Sequence, residues 1–282
     1  MNVDTPNASR PPRRAGAIAE PARTLEVTPE ASWALDRLVE RSQRRSGIRL
    51  PASFARGDGG DTMLANLLSG GRGGTVRLKL YLTTVLLAGS KHSHAVHGRN
   101  TIVDVAGATW AKALALPDPG GPGSRRISDA QNQLAERKLI QLERRAGQAP
   151  KITLLHPLGS GRAWIEPGTP YIGIPLELWT QRWIWCLSGK ELAVLIAILD
   201  LCGGRGRDRS GGPQALSGTH LRHYGMSEDT WRIASSGLEK KYGLIRTDRE
   251  VVRSDLESPR LRKRYELVPD SLSAMAPISP TG

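Results

Sequence analysis

The sequence predicts an α+β fold, mainly α with small β-hairpins, built as two similar units in tandem. Two observations carry this expectation. Apolar residues recur at helical spacing in segments separated by short β-like runs, and the series helix, helix, turn, helix, two-stranded hairpin occurs twice along the 282 residues. A hydrophobic content of 39% is enough for two modest cores at this length.

Residues 1–24 are rich in Pro, Arg and Ala without apolar periodicity, and are read as a disordered tail. Residues 25–70 are expected to be a helical extension. Thr28 can cap a helix whose first position, Pro29, has no N–H to lose; the pattern runs to about Arg45, with Trp33, Leu35, Leu38 and Val39 available for burial. This helix is expected to cap the first unit rather than to dimerise. Asp61 can cap a second, short helix carrying Met63, Leu64, Leu67 and Leu68.

The first unit is expected over 71–161. It opens with a helix at 76–88, followed by a β-like run at 101–105 and a helix at 108–116. A turn-rich stretch at 117–123 leads to a third helix at 125–137, with Ser124 as its cap, and to strands at 139–144 and 151–155. The second unit is expected over 162–268 and begins with a Trp-rich linker that packs it against the first. Ser188 and Glu191 form a capping box before a helix at 189–201. A Gly/Arg-rich loop, a short helix at 217–224, and a third helix at 228–241 capped by Ser227 follow. Strands at 244–247 and 263–268 flank a charged loop, and 269–282 read as a second disordered tail. This order is that of a winged helix-turn-helix, so the expected architecture is two winged helix-turn-helix domains in tandem.

Charge narrows the function. The formal net charge is +13; residues 72–162 carry 14 Lys/Arg against 5 Asp/Glu, and residues 182–268 carry 16 against 11. The excess sits in the segments that read as folded, as in a surface that displaces counterions from phosphates. Arginine-rich composition alone would also produce it. No apolar run is long enough to cross a bilayer, and none follows the N-terminal arginines as in a secretory signal, so a cytoplasmic location, nucleoid- or plasmid-associated, is expected.

The third helix of each unit is the expected reading head, with bases contacted from near its start. In the first unit the candidates are Arg125, Arg126, Ser128, Gln131 and Asn132, with arginine suited to guanine and Asn/Gln to adenine. In the second they are Ser227, Thr230, Trp231, Arg232 and Ser235, behind an acidic start at Glu228-Asp229 that suits the helix dipole but repels phosphate. Backbone contacts are expected from the hairpins, through Arg144, Arg145 and Lys151 in the first and Arg249, Arg253, Arg260, Arg262, Lys263 and Arg264 in the second. The plain alternative is solvated helix faces and charged hairpin tips.

Other chemistry finds little support. His92, His94 and His97 lack a neighbouring Cys or carboxylate at zinc-site spacing, and His220 and His223 lack a third ligand. The glycines around Arg72 lack the order of a phosphate-binding loop, and no nucleophile–base or paired-carboxylate pattern stands out. Cys186 and Cys202 read as reduced and structural. Neither an enzyme nor a cofactor or metal site is expected.

The segments 71–82, 174–179 and 187–193 resemble a poorly characterised actinobacterial tandem winged-helix family. The Ile174-Pro175 step and the Leu187-Ser188 helix start are also similar to winged-helix units of plasmid replication initiators. Residues 224–230 resemble the turn and third-helix start of MarR-like and initiator units. The resemblance spans roughly 70–268 and implies the winged-helix fold; together with the charge and the third-helix residues, the expected function is sequence-specific binding of double-stranded DNA, with transcriptional regulation as the outcome. The glycine-rich turn at 117–123 departs from a tight helix-turn-helix. A plasmid or mobile-element replication initiator, a protein-interaction module and a homodimer stay open.

Overall fold

The computed structural model of the chain describes residues 24–71, 73–88, 100–102, 104–203, 214–216, 218–254 and 257–280, without the side chains of 214–220, 250–262 and 280. The expected tail at 1–24, all but its last residue, the histidines at 92, 94 and 97, and the loop at 204–213 lie outside them. The fold is α+β, mixing helices with small sheets. Among the described residues no helix is long and apolar enough to cross a membrane.

Helix α1 (Pro29–Ser42) starts as its residues dictate: Thr28 Oγ1 accepts from the Ala31 N–H at 3.3 Å, and Pro29 occupies the first turn. Its buried stripe is Ala31, Ala34, Leu35, Leu38 and Ser42, packed on α3 (Gly74–Ala88) and α4 (Gly107–Ala113). The helix therefore covers the first unit, as expected. Trp33 falls off that stripe and is 65% exposed, stacked under the Arg37 guanidinium at 5.8 Å.

The first unit continues as α3, β3 (Thr101–Ile102), α4, α5 (Pro122–Glu136), β4 (Ile140–Glu143) and β5 (Lys151–Leu154), with strand order β3-β5-β4. The second runs α8 (Gly189–Cys202), β7 (Gln214–Leu216), α9 (Gly218–His223), α10 (Glu228–Ser236), β8 (Ile245–Ser254) and β9 (Glu257–Leu267), with strand order β7-β9-β8. The same connectivity and the same strand order thus occur twice. In each unit the last strand lies in the middle, paired antiparallel to both neighbours.

The opening helices α3 and α8 pack on each other, and one continuous core runs through both units. Nearly every residue of α3 is buried, including Arg77 and Lys79. The capping box forms at α8: Ser188 Oγ accepts from the Glu191 N–H at 3.3 Å, and Glu191 Oε2 from the Ser188 N–H at 2.8 Å. Its start abuts α3, because a Cβ on Gly189 would lie 2.7 Å from Thr75 Oγ1.

The linker binds the halves through its tryptophans. Trp179 Nε1 donates to Thr83 Oγ1 at 3.0 Å on α3, and Trp185 Nε1 to the Ala113 carbonyl at 2.7 Å on α4. Its strand β6 (Tyr171–Ile174) pairs antiparallel with β2 (Ile48–Pro51) of the extension, which also carries α2 (Met63–Leu68). The short helices α6 (Glu177–Thr180) and α7 (Trp183–Cys186) hold Trp179 and Trp183. The extension is thus not only helical.

Four expectations are corrected, the first being the Asp61 cap of α2: Thr62 caps it instead, its Oγ1 accepting from the Ala65 N–H at 3.1 Å. Residues 269–280 are ordered: β10 (Ile278–Pro280) pairs parallel with β1 (Leu25–Val27), Leu272 and Ala276 are buried, and Trp183 Nε1 donates to the Leu272 and Ala274 carbonyls. Two carbonyls of the segment accept from an indole N–H and its Leu272 and Ala276 are buried, through long-range contacts that periodicity does not reveal. Helix α5 begins at Pro122, uncapped by a side chain, while the Ser124 hydroxyl donates to the Pro119 carbonyl at 2.7 Å. Proline at the first position explains the earlier start. The charged segments of the second hairpin are instead a long two-stranded ladder, paired from Ile245 opposite Leu267 to Ser254 opposite Glu257.

Candidate nucleic-acid interface

Helix α5 buries Gly123, Ile127, Ala130, Gln131 and Leu134, a stripe at i, i+3 and i+4 spacing. The opposite face exposes Arg125, Ser128, Asp129 and Asn132, with Arg126 exposed at the edge of the buried stripe. From Arg125 to Asn132 the helix rises about 10 Å, roughly three base-pair steps. Gln131 does not belong to that face. It is 2% exposed, one turn from Ile127, and its Nε2 has no hydrogen-bond partner among the described residues.

The first hairpin brings its arginines to this helix. Arg144, just past β4, is exposed, and its Nη2 donates to Asn132 Oδ1 at 2.7 Å; Arg145 is exposed beside it. Lys151 is held by Glu143 at 3.0 Å, so much of its charge is answered within the hairpin. The sequence marks Arg144 and Asn132 separately, and their bond leaves no sign in it. Twelve residues and a change of element separate them, so no periodic signal links them.

The second unit is arranged differently. Ser227 caps α10, accepting from the Thr230 N–H at 3.2 Å, and Thr230 is half-buried with its Oγ1 3.0 Å from the Ser227 hydroxyl. Trp231 is 1% exposed, flanked by Tyr224 and Tyr265, with ring centroids 6.1 and 5.6 Å away. Ser235 is buried and donates to the Arg232 carbonyl at 3.3 Å. Trp231 and Ser235 are corrected from readers to core, because they lie on the stripe with Ala234 that faces α8. The exposed face carries Glu228, Asp229, Arg232 and Ile233, with Arg232 paired to Asp229 at 3.1 Å and Ile233 59% exposed.

Along the β8–β9 ladder, Arg249 stands opposite Lys263, both exposed. Asp248 stands opposite the half-buried Arg264, and Arg246 opposite Glu266. One face therefore alternates opposite charges, and the other carries a like-charged cationic pair. The side chains of Arg253, Arg260 and Arg262 lie outside the described residues, although the register sets Arg260 opposite Val252 and Arg262 opposite Glu250.

Among the described residues no three His, Cys, Asp or Glu gather as a metal site. Cys202 is buried and Cys186 partly so; both are free thiols, and burial pushes both up from the ordinary thiol range. Asp200 accepts from the Tyr224 hydroxyl at 2.7 Å and pairs with Arg56 Nε at 2.6 Å, tying the extension to α8. Burial raises the Asp200 carboxyl despite these partners. In comparisons with known proteins the chain matches no family model, and no curated protein or solved structure is significantly similar to it.

Proposed function

We propose that the protein binds double-stranded DNA sequence-specifically through two winged helices in tandem, as a non-enzymatic transcriptional regulator. The observation that carries this reading is the exposed side of α5: Arg125, Ser128 and Asn132 on one face and Arg126 at its edge, with Arg144 and Arg145 alongside on the following hairpin. Those groups match base edges and phosphates in chemistry and in spacing. The repeated connectivity, with the last strand central in each sheet, supports the winged-helix architecture, in which the third helix enters the major groove.

The test is selection of genomic fragments by the purified chain near physiological salt, followed by sequencing. A sharp set of sites upstream of genes is the expected result; repeated sites beside an origin would make the protein a replication initiator. Arg125→Ala with Arg126→Ala should cost about 1–3 kcal/mol per base contact and relax the selected sequence. Absence of enrichment, together with unchanged binding in that variant, sinks the reading.

One observation favours a protein-facing role for the second unit's helix: an acidic start, with Ile233 exposed beside it. Phosphates are repelled by Glu228 and Asp229, while an exposed isoleucine gains by burial. In the same selection, Arg232→Ala with Ile233→Ala leaves the site unchanged if α10 contacts protein. An altered site makes α10 a second reader.

A further inference from the structure

We infer that Arg144 sets the base preference of Asn132, so that the pair reads guanine where a free asparagine would read adenine. The inference rests on the duplex-reading proposal above and specifies its chemistry. Arg144 Nη2 meets Asn132 Oδ1 at 2.7 Å, with both side chains exposed on the face of α5 that carries Arg125 and Ser128. A guanidinium has five N–H donors and no acceptor, so the atom it meets is the amide oxygen. The nearest carboxylate in sequence, Glu143, is held by Lys151 at 3.0 and 3.1 Å, which leaves Arg144 to the asparagine.

Adenine recognition by asparagine needs both ends of the amide: Oδ1 accepts from the N6 amino group and Nδ2 donates to N7. With Oδ1 bound to Arg144, what the pair offers outward is the Nδ2 hydrogens and the remaining guanidinium hydrogens. These are all donors. The second lone pair of Oδ1 does not restore adenine reading, because the cation beside it faces the N6 amino hydrogens with like polarity. Guanine presents N7 and O6, two acceptors that match two donors. Cytosine and adenine each present an amino group to the same array and leave donors facing donors, an unmade bond on both sides.

The prediction concerns one base pair, which is identified as the position whose preference is lost in Asn132→Ala when random duplexes are selected by the purified full chain. At that position the unaltered protein should favour guanine over adenine by roughly tenfold or more. Arg144→Ala frees Oδ1 and should reverse the order, giving adenine at the same position. Asn132→Ala should not gain adenine, alone or combined with Arg144→Ala. Both residues are exposed, and circular dichroism checks that the variants stay folded. The inference is overturned if the unaltered protein already selects adenine there. It is equally overturned if Arg144→Ala weakens all duplexes alike while the preferred sequence stays the same, since Arg144 then touches only phosphate. If the unaltered protein enriches no sequence at all, duplex reading itself fails and this inference with it; normal enrichment with an unmoved preference fails the inference alone.

Discussion

Lys79 is a cation placed where hydrophobic packing dominates. It lies on α3 with 7% exposure, and its Nζ donates to the Trp185 carbonyl at 2.9 Å. Burial pushes its ammonium down to about 8, against the opposing pull of Cys186 and Glu191. Because the folded value lies below the ordinary 10.5, the unfolded chain holds a proton between those values that the folded chain has released. Stability attributable to this group therefore rises as pH climbs through that window, and its cost is fully present below pH 8. Lys79→Met should raise the thermal midpoint at pH 7 by a few degrees and flatten the rise from pH 8 to 10, read by thermal unfolding at several pH values. A lower midpoint at pH 7 would mean the bond to Trp185 outweighs the desolvation. Apolar periodicity identifies α3 as a helix, but only the packing of α7 and α8 against it decides that a lysine on it is buried.

At the scale of elements, the two hairpins divide their charge differently. In the second, Arg264 faces Asp248 and Arg246 faces Glu266, whereas Arg249 and Lys263 face each other with nothing anionic opposite. A like-charged pair across a ladder is unfavourable by itself and becomes favourable when a phosphate lies between. Arg249→Ala with Lys263→Ala should weaken all duplexes alike and reduce the slope of log K against log salt by about two. A loss confined to one sequence would make the ribbon a reader of bases. The third helices show how far the sequence reaches at this scale. Their existence is legible, as is the Ser227 cap of α10, whereas α5 starts at Pro122 without the Ser124 cap that the sequence suggests. Their phase is not. Gln131, Trp231 and Ser235 are chemically suited to reading, yet each falls on the buried stripe of its helix, so the helix rotation set by core packing removed them from the candidate face.

For the whole molecule, two repeated units share one core. Helix α3 is surrounded by α1, α2, α5 and α8, with Trp179 bonded to it from the linker. The Arg56–Asp200 pair, the β2–β6 pairing and the β1–β10 pairing each join segments more than a hundred residues apart. The full chain should therefore unfold in a single thermal transition, and a fragment of residues 71–161 should show no cooperative one. Its α3 would expose the apolar side that α8 and Trp179 cover. A cooperative transition in the fragment would make the units independent domains.

What the sequence alone determined is local and periodic: the α+β class, the order of the helices and of the two hairpins, the capping box at Ser188, and the cationic character of both units. These follow from nearest-neighbour chemistry, because caps, turns and amphipathic spacing act within a few residues. The tertiary structure decided which side of each third helix is free and that the C-terminal segment closes on β1. It also decided that Arg144 reaches Asn132. Those outcomes depend on contacts between residues distant in the chain, whose burial and hydrogen bonding are set by the fit of whole elements and leave no periodic mark in the sequence.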